Sequence, residues 1–497
     1  MTEKEELKTD VLLESEQVQF VGDHCNETTD AQNTSRIHLI ASTDRGKPFC
    51  HLDDVLSSLQ LGQFHWRMLV LVGGGYFSVC SEMMLFIFLS IPIKNEWALG
   101  DMDFPWLPFS TGITGIIGGF AAGIISDRYG RQLPFLIGIV FIALFGVVSA
   151  FAPSYPLFIL FRCMVTIGTG TFESVGFVLL LEFLPKQKRG SILVVVTLCG
   201  AFGAVFAGGI AWLILPRFGW RWFVGACAAP AVLLLFYEPF AFYESPRFLF
   251  IRGQKEKAVK VLQTMAAINK CEIPDLDMII YPTPSKSKGR FRQLFSKELR
   301  SRTVVFSCIW FLQASGYWGV TTYLPEYMSN LGVDPYFNMF SVFIGEIPGL
   351  FLAMILIERY MLGRIRTLRL FCALTALSLL VFSFIPEHAY KAVLIILCYF
   401  SMVPIYSILN AFTPELYPTD IRSTAMAWMN VVIEIPGLIT PFVGATLVSS
   451  SIPWLYPVVW GSLFVIQCAL TFAIKKETAG KDLKDCSTVN NESPITN

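Results

Sequence analysis

Apolar runs of about 20 residues recur along the chain, separated by short polar turns. Six lie near 66–92, 105–126, 133–152, 156–182, 190–214 and 221–243. After a polar stretch, six more lie near 303–327, 336–358, 366–386, 391–414, 424–448 and 453–474. A helix of that length crosses a hydrocarbon core of ~30 Å. The pattern therefore predicts an all-α membrane protein with twelve transmembrane helices in two six-helix bundles. The expected organisation is a tail over 1–64, a first bundle over 65–243, a central loop over 244–302, a second bundle over 303–475 and a tail over 476–497.

Composition agrees with this. Of 497 residues, 54% are apolar and 15% charged, with a mean hydropathy of +0.56, whereas soluble domains carry about 25% charged residues. The net charge of +0 points to no particular partner, because the charges are segregated by loop. Lys and Arg concentrate in alternate loops, most of all in the central one, where Lys255, Lys257, Lys260, Lys286, Lys288, Arg290 and Arg292 cluster. By the positive-inside rule that loop and both termini are cytoplasmic, so the sequons at Asn26 and Asn33 are read as unused. The basic loop is a solvated face and gives no reason to invoke nucleic acid. Its first part, residues 253–270, has helical spacing, residues 282–289 read as a linker, and Asp53–Trp66 reads as an amphipathic lead-in. The first 60 residues hold no apolar signal core. Most of the twelve cysteines fall inside apolar runs without CxxC spacing, which reads as small buried thiols. No metal and no cofactor is expected.

Three motifs recur in register between the two sets of helices. Glu182, Pro185 and Arg189 follow the fourth run, and Glu415, Pro418 and Arg422 follow the tenth, with the same spacing. SDRYGR, with Asp127, Arg128 and Arg131, follows the second, and IERYMLGR, with Glu358 and Arg364, follows the eighth. YESPRFL, with Glu244 and Arg247, follows the sixth, and KETAGKDL, with Glu477, follows the twelfth. Such charged turns cannot lie in lipid. Carboxylates at these helix ends can pair with arginines or with the positive end of a neighbouring helix and so act as latches. Two parallel repeats about an axis normal to the membrane form a carrier arrangement that binds its load at the midplane between them.

DRYGR at 127–131, ESPRFL at 244–249 and ETAGKDL at 477–483 resemble the signatures of the major facilitator superfamily. LGQFHWRMLVLVGGGYFSVCSEMM (61–84), EFLPKQKRG (182–190), IGEIPG (344–349) and PELYPTDIRS (414–423) are similar to the branch of synaptic-vesicle-two-related proteins and nicotinate and organic-cation carriers. The resemblance spans about residues 53–483. Several positions depart from it. Val79 stands where the branch often has aspartate, ERYMLGR carries two extra residues, and Tyr243 and Lys476 replace prolines. The short loops near 93–104 and 328–335 differ from relatives with large domains there.

Ionisable groups at mid-bilayer cost roughly 3 kcal/mol or more and are functional candidates. Glu82, Glu173, Glu346 and Glu434 fall near the centres of their runs, and no Lys, Arg or His is expected as deep. The resemblance implies that helices 1, 4, 7 and 10 line the cavity. This favours Glu82 and Glu173, with Gln313, Tyr317, Trp318, Tyr399, Tyr406 and Asn410. Glu346 and Glu434 each precede Ile-Pro-Gly, where they could instead serve backbone groups freed by Pro348 and Pro436. An acidic, aromatic cavity favours a cation or a proton-coupled solute. The expectation is a secondary active carrier of a small organic solute, an organic cation or proton-coupled organic ion, working as a monomer in a plasma or vesicle membrane. Its partners would be the substrate, protons and lipid. The alternative is a binder or sensor that keeps the carrier fold without transport. No enzyme motif is present.

Overall fold

The computed structural model describes residues 50–59, 61–185, 189–271, 279–280, 290–297, 299–357, 362–385, 388–417 and 421–474. Twelve long helices follow in the expected order. The first half holds α1 (Gln63–Trp97), α2 (Trp106–Tyr129), α3 (Gln132–Ser149), α4 (Tyr155–Phe183), α5 (Arg189–Phe218) and α6 (Trp220–Ala241). The second holds α7 (Arg300–Asn330), α8 (Pro335–Leu356), α9 (Gly363–Phe384), α10 (His388–Leu416), α11 (Arg422–Val448) and α12 (Leu455–Thr471). Ten are long and apolar enough to span a membrane by length and hydropathy alone. The exceptions have simple causes. α12 is apolar but only 17 residues long. α7 is long enough but carries Gln313, Ser315, Thr321 and Thr322, all buried, because its polar side faces protein instead of lipid.

Helix packing repeats between the halves. α1 packs on α5 and α6, and α7 on α11 and α12; α4 packs on α2 and α3, and α10 on α8 and α9; α3 packs on α6, and α9 on α12. The contacts between halves obey the same two-fold. α2 meets α11, α5 meets α8, and α1 meets α7. The internal repeat read from the turns is thus a repeat of packing.

Lipid supplies no hydrophobic drive between helices, so close approach of backbones must hold them together. Glycine provides it. A Cβ on Gly170 (α4) would overlap the Gly115 carbonyl of α2, one on Gly118 the Ile167 carbonyl, and one on Gly349 (α8) the Phe400 carbonyl of α10. These seams occupy corresponding places in the two halves.

The segments flanking α1 and α6 tie together. A short helix, Leu52–Ser58, precedes α1, so the lead-in expected over Asp53–Trp66 is broken in two. Helix Lys255–Asn269 in the central loop lies where helical spacing was read. Its last residue, Asn269, accepts from the Phe64 amide at 2.9 Å and donates to the Leu59 carbonyl at 3.2 Å. Cys50–His51 pairs in parallel with Ile279–Ile280. The sequons, the linker at 282–289, Glu358 and Glu477 lie outside the described residues.

The seam yields a test. Gly170→Ala should destabilise the purified protein by about 1–3 kcal/mol, the usual cost of overpacking, lowering its melting temperature in detergent. Gly123→Ala on α2, where a Cβ meets nothing within 4 Å, should leave the melting temperature unchanged.

Candidate functional site

The halves touch at the end away from the signature turns. Away from the signature turns, Lys94 near the end of α1 bonds Glu326 of α7 at 2.7 Å and Asp101 of the α1–α2 loop at 3.3 Å. Its ammonium also lies 5.9 Å from the Tyr323 ring centre. Phe442 of α11 packs edge-on against Trp106 and Phe109 of α2 at 5.5 and 5.6 Å. Trp212 of α5 stacks on Phe340 of α8 at 5.9 Å. These contacts close that end. A hydrogen bond from the Ser449 hydroxyl, then Lys94, holds the Asp101 carboxyl below the usual range.

Toward the signature turns, Glu173 of α4 and Glu434 of α11 are both exposed, and the Glu434 charge acts on Glu173. Tyr406 of α10 is 42% exposed, and Glu173 acts electrostatically on it and on Tyr76 and Cys80 of α1. Deeper, Glu346 of α8 is 5% exposed, and its Oε1 has no hydrogen-bond partner. Tyr317, Tyr399 and Cys80 surround it. The Tyr317 hydroxyl reaches Met84 Sδ of α1 at 3.9 Å across the halves, and Tyr399 donates to Thr321 at 2.8 Å. Trp318 packs on Tyr317 at 5.2 Å. Asn410 donates to the Tyr406 carbonyl one turn back at 3.0 Å. Charge thus links Glu173 to Glu434 and Tyr406, and Glu346 to Tyr317 and Tyr399, while Trp318 packs on Tyr317 and Asn410 bonds the Tyr406 carbonyl.

Two expected members stand elsewhere. Gln313 donates to the Met402 carbonyl at 2.9 Å and accepts from Gln467 of α12 at 3.1 Å. Its amide is occupied in a buried network within the second half. Glu82 is fully enclosed in the first half, where Arg162 of α4 donates from Nη1 at 2.6 Å to its carboxylate and from Nη2 at 3.1 Å to its carbonyl. The expectation that no basic group lies as deep as the glutamates fails at Arg162. Helical rotation of roughly 100° per residue explains the placement: with Cys80 turned to the cavity, Glu82 points about 200° away. Tyr76 and Cys80 were missed in the sequence, although their i, i+4 spacing marks one face.

The signature turns brace each half. Arg131 bonds Glu182 at 3.3 Å and the Ser126 carbonyl at 3.0 Å; Arg364 bonds Glu415 at 3.0 Å and the Ile357 carbonyl at 2.6 Å. Each pair is 51 residues apart. The offset that carries Arg131 onto Arg364 also carries Glu182 onto Glu415 and Gly130, at φ 104°, onto Gly363, at φ 78°. The two extra residues in ERYMLGR thus leave the arginine side of the second turn intact. Glu244 accepts from the Arg131 and Gln132 amides at 2.9 and 3.1 Å, capping the positive end of α3. Ser245 caps the short helix Pro246–Ile251, which carries Arg247, and Arg252 closes the end of α2 through the Asp127 and Arg128 carbonyls at 2.8 and 2.7 Å. The Asp127 side chain is 85% exposed and lies 3.8 Å from Arg131, and Arg128 lies over the Tyr129 ring. Nothing is described of the Arg189 and Arg422 side chains. Among the described residues no group of His, Cys, Asp or Glu is arranged to hold a metal.

Two predictions follow from the buried pair and the closed end. Arg162→Met should cost about 3–5 kcal/mol by leaving Glu82 uncompensated, and adding Glu82→Gln should restore most of the melting temperature. Glu326→Gln should weaken the closed end by about 1 kcal/mol and lower, about fivefold, the cross-linking of cysteines placed at Phe109 and Phe442. Because the Asp101 carboxyl is lowered, its contribution is present above its ordinary value of about 3.9 and lost only as pH falls through the lowered one. Asp101 therefore adds no dependence to that yield between about pH 5 and 8.

The sugar (and other) transporter model matches residues 73–489. Organic cation/carnitine transporter 7 of Arabidopsis thaliana is 26% identical, over 89% of this chain and 97% of its own. The synaptic vesicle 2-related protein of Xenopus laevis is 27% identical, over 88% and 82%. The niacin transporter NiaP of Acinetobacter baylyi is 27% identical, over 78% and 88%. A partially occluded, inward-open structure of the xylose transporter XylE from E. coli superposes with a TM-score of 0.65 at 20% identity, over 84% of this chain and all of that one. The chain is an integral, multi-pass membrane protein of the major facilitator fold, and it belongs to the sugar (and other) transporter family.

Proposed function

We propose that the protein is a secondary active carrier of a small organic cation, moved by rocking of its two halves about the cavity. The observation that carries this reading is the cavity's charge. Glu173, Glu346 and Glu434 come from three helices of both halves, and among the described residues no basic side chain bonds any of them. A carboxylate in such a space seeks a cation or a proton. Tyr76, Tyr317 and Tyr406 supply aromatic faces that attract an organic ammonium, each for about 0.5–2 kcal/mol. The similarity to the Arabidopsis organic cation/carnitine transporter supports the substrate class. We place the signature turns and both termini in the cytoplasm, of a plasma or vesicle membrane, and take the monomer as the working unit. Glu82, held by Arg162, serves as a brace within the first half instead of a contact to cargo.

Counterflow in proteoliposomes tests this. Vesicles loaded with unlabelled tetraethylammonium should take up labelled tetraethylammonium at equal pH inside and out. Glu173→Gln and Glu434→Gln should each weaken it about tenfold or more, the cost of losing a charged partner worth roughly 1.5–3 kcal/mol. Normal counterflow in both variants would sink the assignment of the site. A failure of every organic cation tried, with counterflow of a neutral solute or anion, would sink the substrate class.

A further inference from the structure

One imidazole holds the amino end of α1. His65 is 4% exposed, and its Nε2 lies 3.3 Å from the Phe183 carbonyl at the end of α4. A carbonyl only accepts, so the ring hydrogen sits on Nε2 and Nδ1 keeps its lone pair. Nδ1 faces two donors, the Gly62 amide and Asn269 Nδ2, each at 3.3 Å. The first bond caps α1 from its third residue, as the glutamate of a capping box does. The second reaches the helix Lys255–Asn269. Asn269 cannot turn over to offer its oxygen without losing two bonds. Its Oδ1 accepts from the Phe64 amide at 2.9 Å, and its Nδ2 donates to the Leu59 carbonyl at 3.2 Å. The Phe64 ring packs alongside, its centre 5.4 Å from that of Phe183 and 5.3 Å from that of Tyr243. Four pieces of the first half therefore meet at this ring: α1, α4, the end of the short helix Leu52–Ser58 and the helix Lys255–Asn269. The bonds that join them require the ring to be neutral.

A second ring proton has only Nδ1 to go to. There it sets an N–H against two N–H donors and costs both bonds. It also places a positive charge in the first turn of α1, at the positive end of the helix dipole. Among the described residues every group bonded to the ring is neutral. Glu182, beside Phe183, is held by Arg131. Arg67 of α1, Lys270 and the charged residues of helix Lys255–Asn269 are exposed. Tyr243 and Cys271 are the other titratable neighbours, one stacked on Phe64 and one 3.7 Å from the Leu59 carbonyl. Of Asp53 and Asp54 on the short helix only the backbone is described. We propose that His65 is a proton-sensitive pin: acid on the face of the signature turns traps the junction open, with segments 50–59 and 255–271 released from α1 and α4. Opening takes up one proton. Below the ordinary imidazole value of about 6.5, each pH unit therefore raises the ratio of open to closed by up to about tenfold, and above that value the ratio is constant. Release reaches the signature turn, because Phe183 follows Glu182, the partner of Arg131 at 3.3 Å. The pin works whatever the cargo, and so stands apart from the transport reading above.

Amide hydrogen exchange of the full-length protein in detergent tests this, since it reports the open fraction of each segment. It is followed by mass spectrometry from about pH 7.5 to 5.5, across the range in which imidazole titrates, and corrected for the intrinsic pH dependence of exchange. Amides of the helices Leu52–Ser58 and Lys255–Asn269 should lose protection below about pH 6.5, by up to about tenfold over the next unit. Those of α9 and α12 should hold steady. His65→Gln keeps an acceptor at the third residue of α1 and does not titrate, so its profile should stay flat at the neutral-pH level. Asn269→Asp offers a carboxylate to the charged ring, so its protection should fall less at the acid end than that of the unaltered protein. Constant protection in the unaltered protein, or the same pH dependence in His65→Gln, would overturn the pin. So would loss of protection throughout the first bundle at once, which is acid unfolding and not release of one junction. If His65→Gln does not fold, Asn269→Asp decides, and a fall as steep as that of the unaltered protein overturns the proposal.

Discussion

A carboxylate in a medium of low dielectric constant must find a cation, a proton or water, and the interior of this protein is arranged around four that do so differently. Glu82 takes the guanidinium of Arg162 and is sealed within one bundle. Glu173 and Glu434 stay exposed. Glu346 is enclosed with no basic partner among the described residues, and, like Glu82, it has one oxygen without a hydrogen bond. Desolvation is the same problem in each case. The solution decides the role, since a group already neutralised by a fixed partner braces a bundle, and one left to solvent remains available to whatever enters.

The two-fold is most visible where backbones touch and at the turns, and least visible in the cavity. The arginine–glutamate braces coincide under one offset, and so do the glycines at positive φ that lead the chain into α3 and α9. A positive φ favours glycine, so these positions tolerate little change. The same offset carries Glu173 onto Tyr406. Scaffold positions repeat because the packing problem repeats.

Much of this was legible in the chain itself. Run lengths marked the twelve helices, and the spacing of Glu182 to Arg189 and Glu415 to Arg422 marked the repeat. Side-chain direction was harder. Glu82 and Glu173 look alike in sequence, each a lone acid in an apolar run, and only the rotation of α1 and α4 separates the enclosed one from the open one. Gln313 looked like a cavity residue because the family resemblance implies that α7 lines a cavity, but Gln467, on a helix distant in sequence, claims its amide. The closing pair Lys94–Glu326 was unreadable for the same reason, since its partners are 232 residues apart.

The parallel pairing of Cys50–His51 with Ile279–Ile280 and the bonds from Asn269 back to Leu59 and Phe64 make the first bundle a closed circuit. Every residue of that circuit precedes Arg300, where the second bundle begins. On a ribosome, which delivers the chain from its amino end, the first bundle can be clasped shut before any helix of the second exists. The two halves then meet as finished parts, and the order of synthesis guards against exchange of helices between two sets that resemble one another.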